Sequence, residues 1–198
     1  MKGAPDQTGA PLGPAALLLA EIERLKHDLD VARAKIGELE ARADVDPLLD
    51  ILNRRGFERE LKRALAYIDR YGTLAALIYI DLDGFKTVND RHGHAAGDAL
   101  LTAVAQRLTG LVRASDIVAR LGGDEFAVLI WNAPEQAARV KARELETAVC
   151  EVDVPHAGEQ LSVGASAGVA MLGKSQTPGA ILHAADQAMY ARKRERRG

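Results

Sequence analysis

The stretch RLGGDEFAVLI, Arg120 to Ile130, sets two adjacent carboxylates, Asp124 and Glu125, between a glycine pair and an apolar strand. Gly122 and Gly123 permit positive φ and carry no side chain, so a ligand can lie against the backbone there. Taken alone, the same pattern describes an ordinary hairpin turn with solvated acids. A second acidic site stands upstream in IYIDLDGFK, where Asp81 and Asp83 close a strand whose preceding residues are apolar on both faces. Carboxylates delivered to the ends of two adjacent strands form a hard-oxygen site. Such a site suits Mg2+ or Mn2+ held partly through the phosphates of a substrate.

The elements that must position these acids are readable from periodicity. Leu74 to Phe85 reads as a buried strand, and IVARL and FAVLIW on either side of the glycine pair read as a hairpin. Helical periods run from about Asn53 to Tyr71, from Ala96 to Val112, from Pro134 to Cys150 and from Pro178 to Arg194. A further strand rich in small residues spans Leu161 to Leu172. Helices mixed with adjacent strands predict an α+β fold, an antiparallel-rich central sheet flanked by helices.

Ahead of this domain the pattern changes twice. Residues 1–14 are dense in Gly and Pro without periodicity and read as a flexible tail. In residues 15–45, Leu18, Ile22, Leu25, Leu29, Ala32, Ile36, Leu39 and Ala43 alternate steps of four and three, the seam of a coiled coil. Isoleucine at a and leucine at d favour two strands. In a parallel pair Glu21 faces Lys26, Asp28 faces Arg33 and Lys35 faces Glu40, all attractive; some antiparallel pairings are compatible as well. The alternative is a single amphipathic helix lying on its own domain. Asp46-Pro47 interrupts the helix, so the main domain is placed at 46–198.

Bulk composition excludes several classes. Over 198 residues, 47% hydrophobic content supplies a core, and a formal net charge of −2 gives no global basic field for nucleic acid or an anionic membrane. The run from Ala15 to Ala20 falls far short of the roughly 20 apolar residues that span a bilayer, so no membrane insertion is expected. The single cysteine, Cys150, excludes an internal disulfide; a buried structural thiol and a cytoplasmic location are expected.

RLGGDEF, with IDLDGFKTVNDRHGHAAGD upstream and ADQAMYARK downstream, resembles the GGDEF family of diguanylate cyclases, which condense two GTP into cyclic di-GMP and release pyrophosphate. The resemblance implies that Asp81 and Asp124, with the Leu82 carbonyl, hold two Mg2+ or Mn2+ ions in each half-site. There the ions lower the pKa of the attacking 3′-hydroxyl and neutralise the leaving group. Asp124 and Glu125 are the implied catalytic acids, Glu125 positioning metal or proton or else simply solvated. Backbone at Gly84, Phe85, Gly122 and Gly123, with Lys86 and Lys193, is implied to hold the substrate, the lysines and the Gly84-Phe85 amides at its β- and γ-phosphates. Asp98 and Asn89 offer acceptors for the guanine N1–H and amino group, and His94 falls beside the substrate. His92 and His94 are weak as a transition-metal pair. Asp83 reads as structural, a cap for the GFKTVND helix.

Arg113 and Asp116 match the family's RxxD inhibitory product site, where cyclic di-GMP is implied to act as inhibitor. Two departures stand out. Leu49, Asp50 and Ile51 replace the usual Thr-Gly-Leu, and Arg196 and Gly198 replace the usual glycine and asparagine. Because the product ring is two-fold symmetric, the resemblance implies a homodimer through the coiled coil, with room for an upstream regulatory protein. No sensory domain is expected in so short a leading segment. A noncatalytic receptor for GTP or cyclic di-GMP, and a plain dimerisation adaptor, are the rival readings.

Overall fold

The computed structural model describes residues 18, 21–31, 35 and 44–197, with side chains through Arg194. The chain divides into two compact units, residues 1–42 and 43–198. In the first, residues 21–31 are helical, and Leu18, Ile22, Leu25 and Leu29 are all exposed. The remaining seam positions, Ala32, Ile36, Leu39 and Ala43, lie outside the described residues, as do Arg33 and Glu40. Arg24 bridges Glu21 at 2.6 Å and Asp28 at 3.4 Å along the same helix.

The second unit carries a five-stranded sheet. In chain order its strands are β1 (Leu52–Asn53), β2 (Ala75–Asp83), β3 (Ile117–Gly122) and β4 (Glu125–Trp131), with β7 (Gly164–Leu172) at one edge. The spatial order is β1-β3-β4-β2-β7, and every pairing is antiparallel except β1 with β3. The antiparallel-rich α+β expectation therefore holds. Helices α1 (Arg54–Tyr71), α2 (Phe85–His92), α3 (His94–Gly110), α4 (Glu135–Cys150) and α5 (Pro178–Arg197) complete the fold.

Alternation along β2 explains the layering. Ile78 and Ile80 face one core with Phe126 and Val128, filled by Leu100, Val104 and Leu108 of α3 and Leu145 and Val149 of α4. Leu77 and Tyr79 face the other, filled by Phe57, Leu61, Leu65 and Ile68 of α1 and by Ile181, Ala185 and Met189 of α5. With both faces covered, the first six residues of β2 are all buried, which is why the strand reads as an unbroken apolar run. Gly168 of β7 allows α5 to approach: a Cβ there would stand 2.0 Å from the Met189 amide nitrogen.

The segment before α1 is a compact turn. Asn53 caps α1 by accepting the Gly56 amide at 3.0 Å, and Asp46 Oδ1 accepts the Leu48 and Leu49 amides at 2.9 and 3.1 Å. The buried Asp44 carboxylate meets Arg55 at 2.7 Å and also pairs with Arg59. Asp50, at the place of the usual glycine, has φ 54, a left-handed conformation that Asp tolerates better than most residues. The departure is thus accommodated where the backbone demands glycine-like freedom.

One element was not anticipated and two expectations are corrected. A small hairpin, β5 (Val154–His156) with β6 (Glu159–Leu161), occupies a stretch with no readable period, since three-residue strands are too short to alternate. The last sheet strand begins at Gly164 rather than Leu161 for the same reason. Cys150 is exposed rather than buried: it ends α4 on the solvent side, while Ala142, Leu145, Glu146 and Val149 take the buried side.

Candidate active site

The end of β2 and the β3–β4 turn meet as the two acidic motifs require. Asp81 lies opposite Glu125 in the antiparallel register, and the Leu82 amide donates to the Asp124 carbonyl at 3.1 Å. The turn itself needs its glycines, with Gly122 at φ 149 and Gly123 at φ 50, across a register shift after Arg120. Both Asp81 and Asp124 are partly buried.

The basic partner is Lys193 of α5. Its Nζ hydrogen-bonds Asp81 and lies 2.9 Å from Asp83 Oδ1. Burial pushes the Asp81 carboxyl above its ordinary range; the Lys193 ammonium opposes this, while the nearby Asp124 and Asp83 charges reinforce it. For Lys193, burial acts to lower the pKa, yet the hydrogen bonds to Asp81 and Asp83 outweigh it, and the net shift is upward. With Asp81, Asp83, Asp124 and Glu125 set against Lys193 and Arg54, the edge holds more acids than bases and is short of counter-charge.

That shortage fits a divalent cation. The donors at hand are hard carboxylate oxygens of Asp81 and Asp124 and the Leu82 backbone carbonyl. Among the described residues no group of three or more His, Cys, Asp or Glu forms a ready cation cage, so substrate oxygens would have to complete the coordination.

Asp83 corrects one reading. It does not cap α2: Gly84 takes the cap position at φ 87 without a side-chain bond, and Asp83 Oδ2 accepts the Ser166 hydroxyl at 2.7 Å. Glu125 is not merely solvated. The Arg54 guanidinium lies 3.5 Å from it, and the buried Tyr79 phenol stands near it. Burial first, then the neighbouring Glu125 carboxylate and the charge of Asp186, hold the Tyr79 phenol well above its usual pKa, against the pull of Arg54.

A cavity of about 370 Å³ opens here, lined by Asp81, Glu125, Asp186, Met189, Tyr190, Lys193 and Arg194. Beside it, Gly84, Phe85 and the exposed Lys86 form the first turn of α2, whose leading amides have no partner within the helix. Asn89 on α2 and Asp98 on α3 sit on packed helices. Asn89 Oδ1 is buried with no hydrogen-bond partner, and a Cβ on Gly97 would fall 1.9 Å from it, so only glycine leaves that acceptor its place. Asp98 and His94 are exposed on the same helix.

Arg113 and Asp116 are not part of this group; they lie at the opposite end of β3. Asp116 Oδ2 accepts the Arg113 amide at 3.0 Å and Oδ1 the Trp131 amide at 3.1 Å. Cavities of about 630 and 550 Å³ flank the pair, the larger lined also by Trp131, Val140 and Lys141. Residues missed by sequence reasoning include Tyr79, Asp186, Arg54 and Arg120. Asp186 stands inside ADQAMYARK, so its motif was visible and its role was not.

The profile of the family described as "Diguanylate cyclase, GGDEF domain" matches residues 43–198. This chain belongs to that family. It is 37% identical over 195 residues to diguanylate cyclase TpbB of Pseudomonas aeruginosa, a match covering 91% of this chain and 44% of TpbB. The chain thus spans less than half the length of that relative. Among solved structures, the coiled coil and GGDEF domain of DgcB from Caulobacter crescentus, in complex with c-di-GMP, superposes with a TM-score of 0.76 at 26% identity, covering 90% of this chain and 95% of that one. Diguanylate cyclase SiaD of Pseudomonas aeruginosa, in complex with its activator SiaC, gives 0.74 at 30% identity over 90% of this chain and 70% of SiaD. Among the described residues of this GGDEF chain, no helix is long and apolar enough to cross a membrane.

Proposed function

We propose that this chain is a diguanylate cyclase that condenses two GTP into cyclic di-GMP with release of pyrophosphate. The observation that carries the reading is the convergence of Asp81, at the end of β2, with the turn bearing Asp124 and Glu125, beside Lys193 and the first turn of α2. Asp81, Asp124 and the Leu82 carbonyl would hold Mg2+ or Mn2+, two ions per half-site, and such ions supply charge neutralisation at the α-phosphate and the leaving pyrophosphate. Lys193 moves from Asp81 and Asp83 to the β- and γ-phosphates, where Lys86 and the Gly84 and Phe85 amides also bind. The backbone at Gly122 and Gly123 borders the phosphates, and Glu125, near Arg54 and Tyr79, orients the reacting hydroxyl. Asn89 and Asp98 accept the guanine donors, which adenine lacks in that arrangement. His94 borders the base.

Each half-site holds one nucleotide, so two copies must face each other. The exposed Leu18, Ile22, Leu25 and Leu29 stripe supports pairing through a parallel coiled coil, which would raise the effective concentration of the second half-site to about the millimolar range. At Arg113 and Asp116 the product binds as an inhibitor; each Asp116 oxygen keeps a further lone pair beyond its backbone bond. A regulatory protein acting on the stalk, as the activator SiaC accompanies SiaD, fits the same design. Incubating the purified chain with GTP and Mg2+ and separating the products tests the reading. Cyclic di-GMP with pyrophosphate is the expected outcome; bound but unconverted GTP would mean a receptor instead.

A further inference from the structure

The glycine pair that opens the site to a ligand also makes the turn soft, since glycine restrains its own backbone least. The structure supplies the restraint from outside. Arg120 donates from Nε and Nη2 to the carbonyl of Gly123, at 3.0 and 2.8 Å, and from Nη1 to Asp46 Oδ2 at 3.2 Å. Its guanidinium therefore joins two segments far apart in sequence. The Arg120–Asp46 pair is mostly shielded, with side chains 18% and 13% exposed, so it is not the weakly coupled ion pair of an open surface. The other Asp46 oxygen is fixed by the Leu48 and Leu49 amides, so this carboxylate has little freedom to follow the arginine.

The consequence falls on Asp124. Because the peptide unit is planar, fixing the Gly123 carbonyl fixes the plane that carries the Asp124 amide. The following plane is fixed as well, since the Asp124 carbonyl accepts the Leu82 amide at 3.1 Å. Before the glycines, the Leu121 carbonyl accepts Arg54 Nε at 2.9 Å. Asp124 is bracketed by two held peptide planes, and only one of them is held from within the sheet.

We infer that Arg120 is a positioning residue: through its fork on the Gly123 carbonyl it sets where the Asp124 carboxylate stands, and through Asp46 it ties that setting to the turn that precedes α1. Lysine cannot replace it. An ammonium can pair with Asp46, but it lacks the rigid planar set of donors that reaches both partners at once. Displacement of the turn impairs the chemical step while leaving guanine recognition on α2 and α3 in place.

Activity readouts rest on the proposed cyclase reading, so the test carries a second readout that does not. Wild type, Arg120→Lys, Arg120→Gln and Asp46→Asn are compared by GTP turnover, by melting temperature and by amide hydrogen exchange of the peptide covering 121–126. Asp46→Asn keeps an oxygen for the Leu48 and Leu49 amides and loses only the charge facing Arg120. The expected result is a kcat lowered about tenfold in Arg120→Lys and Asp46→Asn and about a hundredfold in Arg120→Gln. The KM for GTP stays within about threefold, the pattern of an interaction that acts in the transition state. Exchange of the 121–126 peptide quickens in Asp46→Asn, while exchange across α3 does not change. Wild-type kcat in Arg120→Lys, or unchanged exchange of the turn in Asp46→Asn, overturns the inference. So does a loss of turnover in Arg120→Lys and Asp46→Asn that only tracks the unfolded fraction. A wild type that makes no cyclic di-GMP would defeat the functional reading, and the exchange arm would still decide this one.

Discussion

The two ends of β3 bear similar residues arranged in opposite ways. At the glycine end, arginines hold backbone: Arg54 grips the Leu121 carbonyl and Arg120 the Gly123 carbonyl, while Asp81 and Asp124 keep oxygens for a ligand. At the other end the carboxylate holds backbone: Asp116 accepts the Arg113 and Trp131 amides and leaves the Arg113 guanidinium exposed between two cavities. One end thus presents anions on a backbone fixed by cations, and the other a cation on a backbone fixed by an anion. The first suits a metal-bound triphosphate, and the second a free anionic ligand. On the proposed reading, a short strand serves two sites of opposite sign because each spends the charge the other exposes.

Breaking the anionic end should have the largest effect. Asp124→Asn is expected to lower cyclisation about a thousandfold or more with the fold intact, read by turnover together with circular dichroism. Activity near that of wild type would mean the turn is not the metal end. Next in size is nucleotide choice. Asp98→Ala is expected to cut the preference for GTP over ATP about a hundredfold, measured as the ratio of kcat/KM values. An unchanged ratio would place guanine elsewhere. At the cationic end, Arg113→Ala should weaken inhibition by added cyclic di-GMP about tenfold, as expected when one charged hydrogen-bonding partner is lost. Superimposed inhibition curves would remove the product site from that end.

The smallest effect concerns Tyr79, the buried phenol near Glu125. Its folded pKa lies above the unfolded value of about 10, so the fold favours the neutral phenol. That contribution is complete below about pH 10 and is lost as pH rises toward the folded value. Melting temperatures at pH 8 and 10.5 should therefore fall further in wild type than in Tyr79→Phe. Equal falls would show that the phenol does not sense the fold.

Much of this was legible in the sequence. Strand and helix positions followed from period, because β2 is covered on both faces and the helices each bury one stripe. The meeting of IDLD with GGDE followed from two strand ends and a hairpin. What pattern could not give was tertiary pairing. Nothing in NRR or RLGG announces a guanidinium aimed at a backbone carbonyl, because such a bond depends on where two distant segments stop. Lys193 was legible as a cation for phosphate, but not as the counter-ion of Asp81 and Asp83. Asp83 failed as a cap because Ser166 of β7 and Lys193 of α5 claim it. Cys150 failed because one position along α4 separates its buried side from its exposed one.

The central claim is that Asp81 and Asp124 share divalent ions over a bound guanine nucleotide. Crystals grown with Mn2+ and a non-hydrolysable GTP analogue, with the metal located by anomalous scattering, test it most directly. The account predicts manganese in contact with both carboxylates and with phosphate oxygens, and Lys193 withdrawn from Asp81. Manganese bound elsewhere, or a nucleotide seated with both carboxylates still paired only to protein, would contradict it.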